Sequence, residues 1–308
     1  MSLAENDPDA VYELYIPFDV DGSITQMSVA VRAGQTAEQA VNAFCTAERP
    51  GPCNDNDPGV VAQLLGIVED TIQQQRQRLY PNSLLLEILE SRRVRDASGK
   101  VLSLDSNVAV DEGRYLYDLV VKHNMTRTLE VGMAFGVSSL FIAQAHQDLG
   151  HGVFKVTPVG EGFADDDRSL RPHVAVDPFQ STQWESVGAL NLMRARLRHL
   201  VDIMELESHF ALPNIARHEA GSFQLCFIDG MHLFDFTLLD FYYSDLLLAP
   251  GGFAVFDDSL MPSVQKVIAH ALTNRAYVQV DNGLNSGRVV TLQKQAKDNR
   301  SWDFHVDF

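Results

Sequence analysis

The chain has 308 residues, 45% of them apolar and 21% charged, so it can bury a sizeable core in one large domain or two modest ones. Its formal net charge of −17 repels phosphate backbones and anionic bilayers and argues against nucleic-acid and membrane partners. Cys45, Cys53 and Cys226 are odd in number and lack zinc-type spacing, which argues against a disulfide framework and against a Cys45–Cys53 pair.

The opening MSLAENDPDAVYELYIPFD has neither a basic start nor an apolar run, and no window reaches the about 20 apolar residues of a membrane span. A cytoplasmic protein is the expectation. VYELYIPF alternates as a strand, DVDGS turns, and ITQMSVAVRA returns. GQTAEQAVNAFC follows as a helix capped by Thr36, with Ala40, Val41 and Phe44 on its apolar face. Residues 46–59 are a loop rich in Pro, Gly, Asn and Asp. Residues 60–80 pattern as an amphipathic helix broken at Pro81, and LLLEILESRRV as another helical piece before the turn-rich RDASGKVLSLDSNVAV. Residues 111–124 set Tyr115, Leu116, Leu119 and Val120 on one helical face.

Beyond residue 124 strands and helices alternate. RTLEVGM, HVAVDPF, VDIMELE, FQLCFIDG and FAVFDD pattern as strands, with Cys226 a small buried strand residue. VSSLFIAQAHQDLG, WESVGALNLMRARLRHL, FDFTLLDFYYSDLLLAPGG and PSVQKVIAHALTNR pattern as helices. YVQV and RVVTLQK close the pattern as strands joined by DNGLNSG. The order predicts an α/β fold: a doubly wound, mostly parallel sheet with an antiparallel hairpin at its C-terminal edge, preceded by a small α+β region. A boundary is expected at 104/105, giving regions 1–104 and 105–308. The first would serve as a lid, a dimerisation element or a partner-binding domain. Residues 152–172 form an unusually long connection.

In such a sheet, ligands bind beyond the carboxyl ends of the strands near the point where strand order reverses. LEVGMAFGVSSL lies there. Gly132 and Gly136 permit close backbone approach, and the helix from Val137 offers free N–H groups. Ala134 stands where a dinucleotide fingerprint needs glycine, which disfavours a nicotinamide cofactor. Glu130 just before the first glycine disfavours a pyrophosphate and suits a cationic amine. Asp177 ends the next strand, where a carboxylate can hold ribose hydroxyls, and Phe179 could lie against a base. A plain glycine corner, with Asp177 as a helix cap, is the competing reading. Asp229, Asp257 and Asp258 fall at neighbouring strand ends. Their mutual repulsion is relieved by a divalent ion, and oxygen ligands suit Mg²⁺. His232 follows Asp229 by three positions, and its imidazole titrates near neutrality. Capping for Asp257 and Asp258, and a structural bond for His232, compete with this reading. His173 and His209 pattern as surface or packing residues.

These motifs, E-x-G-x-x-x-G after a strand, D-P-F-Q on the next, then FIDGMHLFDFTLLDFYYSDLLLAPGGFAVFDD, together resemble the class I S-adenosylmethionine-dependent methyltransferases. The likeness is greater to bacterial small-molecule O-methyltransferases of sugar and catechol type with a D-G-x-H segment. It spans roughly residues 105–295. The resemblance implies that Glu130, Gly132, Gly136 and Ser138 surround the methionine part of the cofactor. It implies Asp177 on the ribose, Phe179 beside the adenine, Ser208 at the adenine edge, and Asp229 shared between cofactor and catalytic sites. In the metal-dependent relatives, acids at these strand ends hold Mg²⁺ and a basic residue in the place of His232 acts as base. Other relatives keep D-G-x-H without a metal, so metal dependence stays open. The expected partner is a small-molecule acceptor, and a homodimer is the state typical of the family. A scaffold that keeps the fold without turnover, and a metal-free N-methyltransferase, are the alternatives. The acceptor pocket is expected from loops 80–112, 152–172 and 259–263. Tyr115, Tyr117, Phe234, Tyr242 and Tyr243 are candidates to line it, although helical spacing suits most of them to the core.

Overall fold

The computed structural model describes residues 11–20, 23–32, 35–47, 58–151 and 171–308. The long connection expected over 152–172 lies, up to residue 170, outside the described residues, as does Cys53. The chain divides into two compact units, Met1–Tyr80 and Pro81–Phe308. The boundary expected at 104/105 therefore falls inside the second unit.

In the first unit, β1 (Val11–Val20) and β2 (Ser23–Arg32) pair antiparallel from Val11↔Arg32 to Val20↔Ser23. Helix α1 (Ala37–Ala47) opens with a reciprocal cap. The Thr36 hydroxyl accepts from the Gln39 N–H at 3.2 Å, and the Gln39 side chain accepts from the Thr36 N–H at 3.0 Å. Ala40, Val41 and Phe44 share a core with Val29 and Val31 and with Leu64 and Val68 of α2 (Pro58–Leu79). Cys45 is disulfide-bonded, which corrects the expectation of unpaired cysteines. Spacing misled here because a single bridge needs no regular framework, and Cys45 sits in the last turns of α1. Cys226 is free and buried, as its apolar strand context predicts.

The second unit begins with α3 (Ser83–Ser91), capped by Asn82, a short hairpin β3 (Arg93–Arg95) and β4 (Val101–Ser103), and α4 (Val110–Lys122). A seven-stranded sheet follows: β5 (Thr128–Val131), β6 (His173–Val176), β7 (Val201–Met204), β8 (Phe223–Ile228), β9 (Leu248–Phe256), β10 (Tyr277–Val280) and β11 (Val290–Lys294). Its order is β10-β11-β9-β8-β5-β6-β7. Strand β11 runs antiparallel to both β9 and β10, and the other pairings are parallel, so the doubly wound sheet with an antiparallel edge is observed as expected. Helices α5 (Val137–Asp148), α6 (Val187–Arg194), α7 (Ser208–Glu219), α8 (Phe234–Leu247) and α9 (Pro262–Asn274) connect the strands.

Two helical details differ from the sequence pattern. Helix α7 was not anticipated, because Pro213 lies inside it and masks the apolar spacing of Ala211, Leu212 and Ile215, which bury in the core. The helix expected over 184–200 stops at Arg194. Arg196 takes a left-handed φ of +60°, and Arg198–Leu200 forms a separate single turn.

Strand order reverses around β5, which sits between β6 and β8. Register pairs Val131 with Val176 and Ile228, and Ile228 with Phe256. The residues that follow, Gly132, Asp177, Asp229 and Asp257, therefore leave the sheet in one row.

Candidate active site

The glycine corner after β5 is tight for a stated reason. Gly132 has a φ of +92°, and a Cβ there would stand 1.9 Å from the Asp229 carbonyl oxygen. Gly136, φ +80°, begins α5 against Gly188, whose Cα lies 3.1 Å from its Cβ position. No side chain caps α5, so its first N–H groups face the corner, and Ser138 is buried in its first turn.

Asp177 is buried and holds this corner from β6. Its Oδ2 accepts from the N–H groups of Ala134 at 2.7 Å and Met133 at 3.1 Å, and from Gln180 Nε2 at 3.2 Å. Its Oδ1 accepts from the Phe179 N–H at 2.8 Å. Gln180 also donates to the Ala134 carbonyl at 2.8 Å. The sequence did not single out Gln180. Its signal is the D-P-F-Q spacing, which returns its amide to the corner. Phe179 is exposed at the rim.

Glu130 lies beneath the corner, fully buried. Its Oε1 accepts from the Ser139 hydroxyl and faces His173 Nε2 at 3.6 Å, while Oε2 has no partner. His173 in turn shares the Thr128 hydroxyl with His146, at 2.9 and 2.8 Å. Burial holds His146 well below the usual imidazole range, so it is neutral. His173 is thus a packing residue. His209 pairs with Glu207 at 3.1 Å near the start of α7. Ser208 turns its hydroxyl to the Asp240 carboxylate, which burial raises to about 6.

The acidic row continues at β8 and β9. Ligand atoms of Asp229, His232 and Asp258 all lie within 4.8 Å of one another. His232 Nε2 stands 3.4 Å from Asp229 Oδ1 and 3.5 Å from Asp258 Oδ2, yet is buried without a well-formed hydrogen bond. Burial, then repulsion from neighbouring carboxylates, pushes Asp229 and Asp257 above the carboxylate range. The facing Asp229, aided by Asp258 and Asp257, raises His232. Asp257 stands apart from this trio. Its Oδ1 accepts from the Asp258 N–H at 2.7 Å and faces Arg288 at 3.7 Å. Arg288 also donates to Asp258 Oδ1 at 3.2 Å and approaches the buried Glu112 at 4.0 Å. The sequence argument missed this cation. Arg288 leads into β11, and nothing in the local pattern marks it.

Of the aromatic candidates, Tyr115 donates to Thr291 Oγ1 at 2.8 Å and Tyr117 to Asp148 Oδ2 at 2.6 Å, bracing α4. Phe234, Tyr242 and Tyr243 line a groove on α8 instead.

Residues 129–259, which carry the whole row, match the family model described as a methyltransferase domain. This stretch is similar to methyltransferase domains. No curated protein matches this chain in sequence. Among solved structures, the Podospora anserina methyltransferase PaMTH1 bound to S-adenosylhomocysteine is 14% identical, covers 74% of this chain and 97% of its own, with a TM-score of 0.51. The O-methyltransferase TomG from Streptomyces achromogenes, of tomaymycin synthesis and in complex with S-adenosylmethionine, is 20% identical over 70% of this chain and 91% of its own, TM-score 0.48. A Bacillus cereus O-methyltransferase in complex with S-adenosylhomocysteine is 19% identical over 73% and 97%, TM-score 0.48. Among the described residues, no helix is long and apolar enough to cross a membrane.

Proposed function

We infer that the chain transfers a methyl group from S-adenosylmethionine to a hydroxyl oxygen of a small molecule, assisted by a divalent cation such as Mg²⁺. The observation that carries the reading is the abutment of the glycine corner on the acid–histidine cluster, with a Cβ at Gly132 overlapping the Asp229 carbonyl. A donor over the corner and an acceptor over the cluster would then be neighbours, and positioning supplies much of the rate. The Podospora relative holds S-adenosylhomocysteine, and the same cofactor is proposed here.

In this reading, the corner and the first turn of α5 receive the methionine part and Phe179 flanks the adenine. Asp177 Oδ1 accepts one hydrogen bond and keeps a lone pair for a ribose hydroxyl. Glu130 and Ser208 support the site from behind. The carboxylates of Asp229 and Asp258 fit a hard cation, and the orphaned Nε2 of His232 beside them is left to accept a proton. Bound there, such an ion lowers the pKa of the acceptor hydroxyl. Asp229 and Asp258 hold it, Arg288 keeps Asp257 turned away from it, and His232 takes the acceptor proton.

Calorimetric titration of S-adenosylhomocysteine and of Mg²⁺ into chelator-treated protein tests each part. Micromolar nucleoside binding lost in Gly132→Val is expected, with a Mg²⁺ heat lost in Asp258→Ala and kept in His232→Ala. Loss in His232→Ala makes the histidine a ligand rather than the base. Nucleoside binding without any Mg²⁺ heat favours metal-free transfer, and no nucleoside binding overturns the reading.

A further inference from the structure

The two loops that carry the acid–histidine cluster are otherwise apolar. After β8 the chain reads Asp229-Gly230-Met231-His232-Leu233, and after β9 it reads Asp257-Asp258-Ser259-Leu260-Met261. Met231, Leu233, Leu260 and Met261 are 40–61% exposed, and each stands within three positions of His232 or Asp258. The loops themselves are pinned. The Met231 carbonyl accepts from Thr237 Oγ1 of α8 at 3.3 Å, and the His232 carbonyl accepts from the Ser263 hydroxyl of α9. The Met261 N–H donates to the Asp258 carbonyl at 2.8 Å, and the Ser259 N–H to the Arg288 carbonyl at 2.8 Å. Leu260 reaches the β10–β11 connection, its Cδ2 4.0 Å from the Cβ position of Gly287. Large apolar side chains held out on a fixed main chain around a reactive cluster mark a binding surface.

The polar inventory of this rim limits what can cover it. The two loops contain no Lys, Arg, Asn or Gln. The Ser259 hydroxyl donates to the Gly287 carbonyl at 2.8 Å and that of Ser263 to the His232 carbonyl, so neither proton is left for a ligand. The neighbouring guanidinium of Arg288 already faces Asp258 at 3.2 Å, Asp257 at 3.7 Å and Glu112 at 4.0 Å. An anionic group approaching here meets more carboxylate than cation. A sugar would set its ring hydroxyls against methionine and leucine, where their lost hydration is not replaced. An uncharged apolar body meets neither cost, and methionine side chains adapt their shape to such bodies.

We propose that Met231, Leu233, Leu260 and Met261 determine acceptor specificity, and that they select an uncharged compound whose hydroxyl is carried on an apolar body, such as a fused-ring alcohol. Sugars and phosphorylated, sulfated or carboxylated acceptors are refused. The proposal rests on the reading of His232 as the base at the acceptor hydroxyl. One pair of rim residues comes from the β8 loop and the other from the β9 loop, the same two loops that supply His232 and Asp258. The acceptor hydroxyl meets the polar cluster, and its body covers the rim. Small-molecule sites are built in this way, mostly of apolar side chains with a few placed polar groups that fix orientation. Discrimination follows from both sides of the balance: apolar contact favours the right body, and unpaired hydroxyls or like charge disfavour the wrong one.

Titration of 2-naphthol into the full chain, read by its fluorescence with and without S-adenosylhomocysteine and Mg²⁺, tests this. Binding is expected, and Leu233→Gln and Leu260→Gln should each weaken it about tenfold. Leu260→Met should keep it, and calorimetric binding of S-adenosylhomocysteine should be the same in all three variants. Displacement of 2-naphthol should show methyl glucoside and 6-hydroxy-2-naphthalenesulfonate binding at least about tenfold more weakly. Equal binding of either competitor, 2-naphthol binding indifferent to both glutamine substitutions, or no 2-naphthol binding in any condition overturns the proposal. Leucine-dependent 2-naphthol binding in a chain that binds no nucleoside supports the apolar rim and overturns the transfer reading instead.

Discussion

Gly132 and Gly136 look equivalent in the sequence but do different work. At Gly132 an added Cβ would stand 1.9 Å from the Asp229 carbonyl oxygen, far inside contact distance, and at Gly136 it meets the main chain of Gly188 and the end of the Met133 side chain at 3.1–3.2 Å, where a shift of a few tenths of an ångström makes room. Both positions carry positive φ, so both alanine variants bear backbone strain. Gly132→Ala should cost about 2–4 kcal/mol in urea denaturation and Gly136→Ala about 1–2 kcal/mol. Equal costs would mean that the corner and the Asp229 strand do not depend on their close approach. Residue roles were only partly legible beforehand. Asp177 was expected at the site on the strength of its strand-end position. Its grip on two N–H groups of the corner became visible only with the loop conformation in hand. Arg288 was invisible for a related reason: charge compensation is a property of space, and its partners Asp257 and Glu112 are far away in the chain.

At the scale of elements, α7 and α8 meet through Ser208 and Asp240. Asp240 is buried, and one of its oxygens has no partner, which is why its ionisation is resisted up to about pH 6. A carboxyl with a raised folded-state pKa stabilises fully below the unfolded value near 4 and loses that contribution as pH rises through the folded value. Stability attributable to Asp240 should therefore decline between about pH 4 and 6 and then level off. The Asp240→Asn variant should lack this decline and be on the order of 2 kcal/mol more stable than wild type at pH 7. Thermal melts of both proteins across pH 4–8 measure it, and parallel curves would show that Asp240 titrates normally. The elements themselves were mostly legible, because β5, β6, β8 and β9 are short, mostly apolar segments and long helical patterns separate most of them. The failures have local causes. Pro213 hid α7, and the left-handed Arg196 cut short the helix expected beyond Arg194.

For the whole molecule, the division at Tyr80/Pro81 makes stability a property of two cores rather than one. The first unit is small, and the Cys45 disulfide contributes there by restricting its unfolded chain. Reductant should lower the melting transition of that unit, by about 2–4 kcal/mol of stability, and leave the transition of the second unit in place. A calorimetric scan with and without dithiothreitol separates the two, and a uniform shift of a single transition would show that the cores unfold together. The sequence placed the boundary later because the turn-rich stretch before residue 104 looks like a linker. Asn82 and the short β3–β4 hairpin instead tie that stretch into the second unit, through the bond of Asn82 to Gln144 and that of Arg194 to the Arg95 carbonyl.

The row formed by Gly132, Asp177, Asp229 and Asp257 is graduated by main-chain pairing, since each residue follows a strand position locked to its neighbour. Adjacent strands stand about 4.8 Å apart whatever side chains they bear. The loops beyond the row can lengthen, shorten or exchange residues over generations without moving these marks. Descent is thereby split into two ledgers of change: the outer loops are free to track new molecules, and the spacing of the reacting groups is inherited with the sheet.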